Sequence, residues 1–189
     1  MKKEDVSHIQ NKLKSLIASD DEIILLLRDY DDLFSDFDPR NYGQRALSQD
    51  FLIELKRAAF DKPDAVQLKL IVPNSKRDKE TENLIRMRLH NHFRKHHELL
   101  VQEMIAIKKK GFFMTTGGMF MLVLAAIISF LFSKSHSFLV SLLLVLLEPA
   151  GWFTAWTGLD QFYYTAKLKQ PDLDFYHKMV RSAIIFVPY

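Results

Sequence analysis

Two uncharged apolar stretches, separated by only a few residues, constrain this chain more than anything else in it. From Gly111 to Phe132 no residue is charged, and from Phe138 to Leu159 only Glu148 is. A helix rises about 1.5 Å per residue, and the hydrocarbon core of a bilayer takes roughly 20 apolar residues. Each stretch is therefore long enough to cross alone. Ser133, Lys134, Ser135, His136 and Ser137 leave room for a tight turn and nothing more, which makes the two helices antiparallel neighbours. Global composition hides this pattern. Of the 189 residues 26% are charged, and mean hydropathy is near zero, as in an ordinary water-soluble domain. The run Met1, Lys2, Lys3, Glu4, Asp5 is polar, so the apolar stretches do not read as a cleaved targeting sequence. The chain has no cysteine, which excludes disulfides and thiolate metal sites.

Orientation follows from basic residues near the spans. Lys108, Lys109 and Lys110 abut the first. Lys167 and Lys169 follow the second, with Lys178 and Arg181 further on. The turn offers only Lys134. Both termini are expected in the cytoplasm of a multi-pass inner (plasma) membrane protein. Trp152, Trp156, Tyr163 and Tyr164 supply interfacial anchors toward the same face.

Outside the spans the pattern predicts a small mixed unit. Residues 4–18 read as an amphipathic helix with Val6, Ile9, Leu13, Leu16 and Ile17 on one side. Residues 23–34 read as a second helix built on the apolar run Ile23–Leu27, with a buried strand as the alternative. A loop from Ser35 to Gly43 follows, then a helix capped by Ser48 and running through Phe60. Residues 65–72 are the best strand, with Val66, Leu68 and Leu70 alternating with Gln67, Lys69 and Ile71, and Pro73 stopping it. Residues 76–110 form one long helix entering the first span, striped by Ile85, Leu89, Phe93, His96, Leu100, Met104 and Ile107. Phe175–Arg181 reads as helix and Ala183–Val187 as a strand that can pair with residues 65–72. The expected fold class is an α-helical membrane hairpin of two transmembrane helices with a small cytoplasmic α+β unit. Its segments are a helical and α+β region (1–110), the hairpin (111–159) and a C-terminal helix and strand that pack back on the first region (160–189).

The stretch Asp29-Tyr30-Asp31-Asp32-Leu33-Phe34-Ser35-Asp36-Phe37-Asp38-Pro39-Arg40, followed by Arg45-Ala46-Leu47-Ser48, resembles a group of uncharacterised prokaryotic two-span membrane proteins. So do Glu148-Pro149-Ala150-Gly151-Trp152-Phe153 and the closing Phe175-Tyr176 and Phe186–Tyr189 segments. The resemblance covers most of the chain from residue 29 onward. It implies a membrane protein and no particular chemistry.

Four groups of residues are candidate sites. Glu148 lies about 15 Å into the second span, where an acidic side chain costs a few kcal/mol and often marks an ion or proton path. Pro149 lacks an amide hydrogen, so the Val145 carbonyl loses its helical partner and a kink is expected. Either Glu148 donates a structural hydrogen bond, with Thr115 and Thr116 among the hydroxyls of the first span, or it handles a cation or proton. Asp29, Asp31, Asp32, Asp36 and Asp38 have the oxygen density that hard cations favour. They lack the spacing of a calcium loop, and Arg40, Arg45 and the long helix are alternative partners. His92 and His96, four apart on one helix, have zinc-chelating spacing, against the simpler reading of a solvated face. Lys108–Lys110 suit anionic lipid headgroups at about 1 kcal/mol per charge.

No glycine-rich phosphate loop, nucleophile elbow or nucleic-acid module is present, so no cofactor or nucleic-acid partner is expected, and an enzyme using the acidic loop is the least favoured reading. Thr115, Gly118, Ala125 and Ser129 on one span, and Gly151, Ala155 and Gly158 on the other, form faces suited to close helix packing in lipid. The sequence therefore reads as a non-enzymatic, self-associating membrane anchor or scaffold for a cytoplasmic module. Its expected partners are the bilayer, further copies of itself and a protein docked on that module. The alternative is a small oligomeric ion or proton channel or transporter using Glu148.

Overall fold

The computed structural model describes residues 21–63, 66–134 and 137–189. The helix expected over residues 4–18, Ser135 and His136 of the turn, and Ala65 at the head of the expected strand lie outside the described residues. The chain is mostly helical, with two long apolar helices and one three-stranded sheet. It divides into two compact units, one holding the chain up to Glu98 together with Asp174–Tyr189, the other Leu99–Leu173. These divisions differ from 110 and 159 because the latter mark the change from polar to apolar sequence, not the edge of a packed core.

The sheet belongs to the first unit. β1 (Glu22–Leu26), β2 (Gln67–Val72) and β3 (Ala183–Pro188) lie in the order β1-β2-β3, and both pairings are parallel. The register sets Leu68 beside Ile23 and Ile184, and Leu70 beside Leu25 and Phe186. β3 thus pairs with the strand before the hairpin, as the patterning predicts. The ladder continues past both ends of β2: Gln67 N donates to Asp21 O at 2.8 Å at one end, and Tyr189 N to Val72 O at 3.1 Å at the other. Where a helix was expected over residues 23–34, the chain instead forms β1 followed by a single 3-10 turn, Tyr30–Leu33. A run of five apolar residues suits a buried parallel strand as well as it suits a helix. The free edge of β2 decides between them here.

Parallel strands cannot be joined by a hairpin and need a crossover. The first crossover carries α1 (Gln49–Ala59), whose N-cap is Ser48, with its hydroxyl accepting from Phe51 N at 3.5 Å. The second carries α2 (Lys79–Leu131), α3 (Phe138–Asp160), a π-helical turn (Gln161–Thr165) and α4 (Ala166–Arg181). Leu55 from α1, Ile85, Leu89 and Phe93 from α2, and Met179 from α4 are buried with Leu68, Leu70 and Val72 of β2 in one core. Lys178 closes α1 at its C-terminus by donating to Lys62 O at 2.5 Å, where a cation also meets the negative end of the helix dipole.

The second unit is a helical hairpin sealed by small residues. A side-chain carbon placed on Gly111 would sit 2.8 Å from Gly158 O and 2.9 Å from Phe162 N. On Gly118 it would collide with the backbone of Ala155, and on Gly158 with that of Thr115. The register therefore runs Gly111 opposite Gly158–Phe162 and Gly118 opposite Gly151–Ala155, and beyond the apolar stretch Lys169 Nζ reaches Glu103 Oε1 at 2.8 Å. Gly118, Ala125, Gly151, Ala155 and Gly158 pack as expected, while Gly111 joins them and Gly117 has open space around it. α3 passes through Pro149 as continuous helix. Both are long and apolar enough to cross a membrane, and only 11% of the most apolar window of either is buried.

Replacing Gly118 by leucine should force the helices apart and lower the thermal midpoint of the full chain in detergent by several degrees. Gly117→Ala should leave it unchanged or raise it, since alanine is favoured over glycine inside a helix by about 1 kcal/mol. Equal effects at the two positions would contradict this packing.

Candidate functional site

The densest polar constellation lies at the carboxyl ends of the parallel strands, the place where open α/β sheets bind ligands. It begins with the turn after β1. Asp29 caps the 3-10 turn by accepting from Tyr30 N at 2.6 Å, and Asp32 accepts in return from Asp29 N at 3.4 Å and from Arg28 N at 2.7 Å. This capping box rotates Tyr30 inward, where it is buried against Phe186 with ring centroids 5.9 Å apart. Its hydroxyl donates to Glu82 Oε1 at 3.1 Å and accepts from Asp78 N at 3.1 Å. Glu82, only 4% exposed, is held by Arg77 through two bonds of 2.7 and 2.9 Å. Beside this group Lys76 Nζ meets Asp29 Oδ2 at 2.5 Å.

Electrostatics follow from these contacts. The Arg77 guanidinium holds the Glu82 carboxyl below its usual range despite burial. Burial pushes the Tyr30 phenol up. The Lys76 ammonium lowers Asp29. Every charge in the cluster is matched by a partner in contact. Its chemistry is therefore that of a clamp joining the β1 turn to the start of α2, with no nucleophile and base left facing one another.

The five expected metal carboxylates are not brought together. Asp29 goes to Lys76, Asp31 to Arg45 at 2.5 Å, Asp32 to the turn, and Asp38 to Arg40 at 2.7 and 2.8 Å and to Ala46 N at 2.7 Å. Asp36 lies 4.0 Å from Arg45 and is exposed. Among the described residues no group of three His, Asp or Glu could hold a metal. The partners are Lys76, Arg40, Arg45 and Arg28. Of these, Lys76 belongs to the segment expected as the long helix, which begins only at Lys79, whereas Arg86 and Arg88 of that helix bind Ile184 O and Arg45 O, each at 3.0 Å. A cleft of about 530 Å³ beside this loop is lined by Asp31, Asp32, Asp36, Asp50 and Glu54 with Arg28.

His92 and His96 do come together, with ring centroids 4.2 Å apart, and His96 stacks on Tyr176 at 5.3 Å. The pair is packed as rings against α4. Burial, then the neighbouring His96, Arg88 and Lys95, depress His92 to about 4. Its Nε2 is buried without a hydrogen-bond partner among the described residues.

Within the second unit, Glu148 and Pro149 are exposed, and no described residue makes a hydrogen bond or ion pair with Glu148. The hydroxyls expected near it are not. Thr115 donates to Gly111 O and Thr116 to Phe112 O, both at 2.9 Å, and the register sets Thr115 opposite Gly158. Ten residues separate Glu148 from Gly158, about 15 Å of helix. Lys108, Lys109 and Lys110 are exposed just beyond Gly111. Sequence patterning alone does not group Tyr30, Arg77 and Glu82. Their only signal is a tyrosine set among acids, and its carboxylate partner is 52 positions away. Comparison with protein-family models, with curated proteins and with solved structures finds no significant match.

Arg77→Gln should destabilise the sheet unit by about 1–3 kcal/mol, the usual range when a buried carboxylate loses its partner. Hydrogen exchange at Leu68–Leu70 in the full chain measures it.

His92 gives a pH signature. Its folded value is depressed from 6.5 to about 4, so the neutral ring's contribution is present above pH 6.5 and is lost as pH falls toward 4. Exchange protection should drop over that window by about 1–3 kcal/mol. His92→Phe should flatten the drop, and an unaltered drop in that variant would assign it to other groups.

Proposed function

We propose that this protein is an integral membrane protein whose α2–α3 hairpin crosses the plasma membrane twice, with both termini cytoplasmic, and that it self-associates as an anchor or scaffold for its α+β unit. Three observations support the membrane reading. Both helices are long and apolar enough to span, their apolar residues are almost all exposed, and the Gly111, Gly118 and Gly158 contacts already seal the hairpin on its inner face. The sheet supports one-sidedness: β2 precedes the hairpin, β3 follows it, and the two are hydrogen-bonded neighbours. Both flanks must therefore sit on one side of a membrane. The lysine asymmetry makes that side the cytoplasm.

The observation that carries self-association is Glu148. It lies deep in the apolar stretch, exposed and without a partner among the described residues. An isolated hairpin would hold it against lipid at a cost of a few kcal/mol. A second copy covers it. The α+β unit, with its acidic loop and the 97% exposed Phe37, is what a protein partner would dock on.

The same residue favours the second reading, an oligomeric ion or proton channel with Glu148 lining the path. Glu148→Gln separates them, because glutamine keeps a donor and an acceptor in nearly the same shape and cannot ionise. For the scaffold, wild-type liposomes pass no ions, Glu148→Gln keeps its oligomeric mass, and Glu148→Leu loosens the assembly by about 0.6 kcal/mol per lost hydrogen bond. Cation-dependent flux that vanishes in the glutamine variant would establish the channel instead.

Topology is checked with single cysteines, for which the cysteine-free chain is a clean background. Ser133→Cys should label from outside and Ser75→Cys only after lysis. The reverse pattern would invert the orientation.

A further inference from the structure

We propose that the cleft formed by Trp156, Leu159, Asp160, Tyr163, Tyr164 and Lys167 is a binding site for the headgroup of a zwitterionic phospholipid, one that carries both a phosphate and an ammonium. This rests on the membrane reading above. The cleft has a volume of about 420 Å³ and lies wholly within the hairpin unit, along the end of α3, the π-helical turn and the start of α4.

Its level in the hairpin is fixed by the register. Gly111, where the apolar stretch of α2 begins, packs on Gly158 and Phe162. Leu159 is the last residue of the apolar stretch of α3 and Asp160 the first charge after it. The cleft therefore straddles the boundary where hydrocarbon gives way to headgroups. The five-residue π turn Gln161–Thr165 widens the helix at this point, a distortion that often marks functional positions.

The chemistry of the lining is specific. Trp156, Tyr163 and Tyr164 are each more than 60% exposed, and rings of this kind attract an ammonium over their faces. Asp160 adds a full negative charge beside them. Lys167, seven residues on, lies about 10 Å further along the axis. Side chains on a helix lean toward its N-terminus, and Lys167 lines the same cleft as the two tyrosines. Among the described residues neither Asp160 nor Lys167 has a hydrogen-bond or ion-pair partner. By contrast the neighbouring Lys169 is engaged with Glu103.

A zwitterionic headgroup presents the complementary pair: ammonium to Asp160 and the rings, phosphate to Lys167. An anionic lipid without an amine satisfies Lys167 and meets repulsion at Asp160. That class is drawn instead to the Lys108–Lys110 triplet, which has no acid adjoining it in sequence.

The test uses the full chain carrying Trp152→Phe, which leaves Trp156 as the sole tryptophan. Its emission is followed in dodecyl-maltoside micelles while phosphatidylethanolamine, phosphatidylcholine or phosphatidylglycerol is titrated in. A saturable blue shift is expected with the first two lipids and a much weaker one with phosphatidylglycerol. Asp160→Asn and Lys167→Gln should each weaken the zwitterionic response about five-fold, taking about 1 kcal/mol per charge. Lys108→Gln should leave it unchanged. Identical responses to all three lipids, or no effect of the two charge variants, would reduce the cleft to an ordinary aromatic belt and overturn the proposal. Displacement by soluble phosphoethanolamine at similar concentration would overturn the assignment to a lipid. Resistance of the same protein to alkaline extraction from vesicles is measured in parallel. Extraction by alkali overturns the membrane reading and the site with it, whereas resistance without lipid selectivity overturns the site alone.

Discussion

The parallel pairing of β2 with β3 is the constraint on which the rest of the structure depends. Two strands that run the same way and lie side by side must be joined by a chain that leaves one end of the sheet and returns to the other. In this protein that connection is everything between Val72 and Ala183, including both long apolar helices. The hairpin is thus an insertion inside a crossover, and its two ends are tied by the β2–β3 ladder. If the two apolar helices cross a bilayer, as proposed, a chain so tied has its flanks on one side of it, which agrees with the distribution of lysines around them.

Inside the hairpin the dominant force is close backbone approach. The glycines at 111, 118 and 158 each face main-chain atoms of the other helix at distances that a methyl group would violate. On the proposed membrane reading this matters, because in lipid the hydrophobic effect does not drive helices together and packing contacts of this kind supply the association energy. The outer surface, rich in exposed leucine and phenylalanine such as Phe130, Phe138 and Phe153, needs no protein neighbour when lipid is the solvent. Glu148 is the exception on that surface, and it is the group for which lipid is a poor solvent.

Elements that announce themselves over many residues were legible in the sequence. The spans, the long helix with its Ile85–Leu89–Phe93 stripe, the Ser48 cap and the alternation of β2 all carry a signal that is repeated or locally specific enough to be unambiguous. Ile23–Leu27 was not legible. Five apolar residues contain less than two helical turns and barely two strand repeats, so pattern alone cannot arbitrate. What makes them a strand is the free edge of β2, 45 residues away in sequence (Ile23 pairs with Leu68). The polar clamp was hidden for a similar reason. Tyr30, Arg77 and Glu82 look ordinary one by one, and only the fold brings them within hydrogen-bond distance. The acidic run shows the opposite failure, since density of carboxylates in sequence does not give convergence in space. The strong backbone demands of the 3-10 turn and of the Ser35–Ala46 loop aim those side chains in different directions, each at its own cation or amide.

The location of Glu148 then bears on assembly through energy, not through pattern. Within the hairpin the inner face is filled by Gly118, Gly151 and Ala155, with no volume left for a carboxyl to turn inward. The hydroxyls of Thr115 and Thr116 on α2 lie several turns away and are already bonded to their own backbone. Pro149 frees the carbonyl of Val145 one turn earlier, on the same side of the helix as Glu148. The proposed self-association rests on this residue: the sealed inner face leaves the outer one as the surface on which a second copy would cover Glu148.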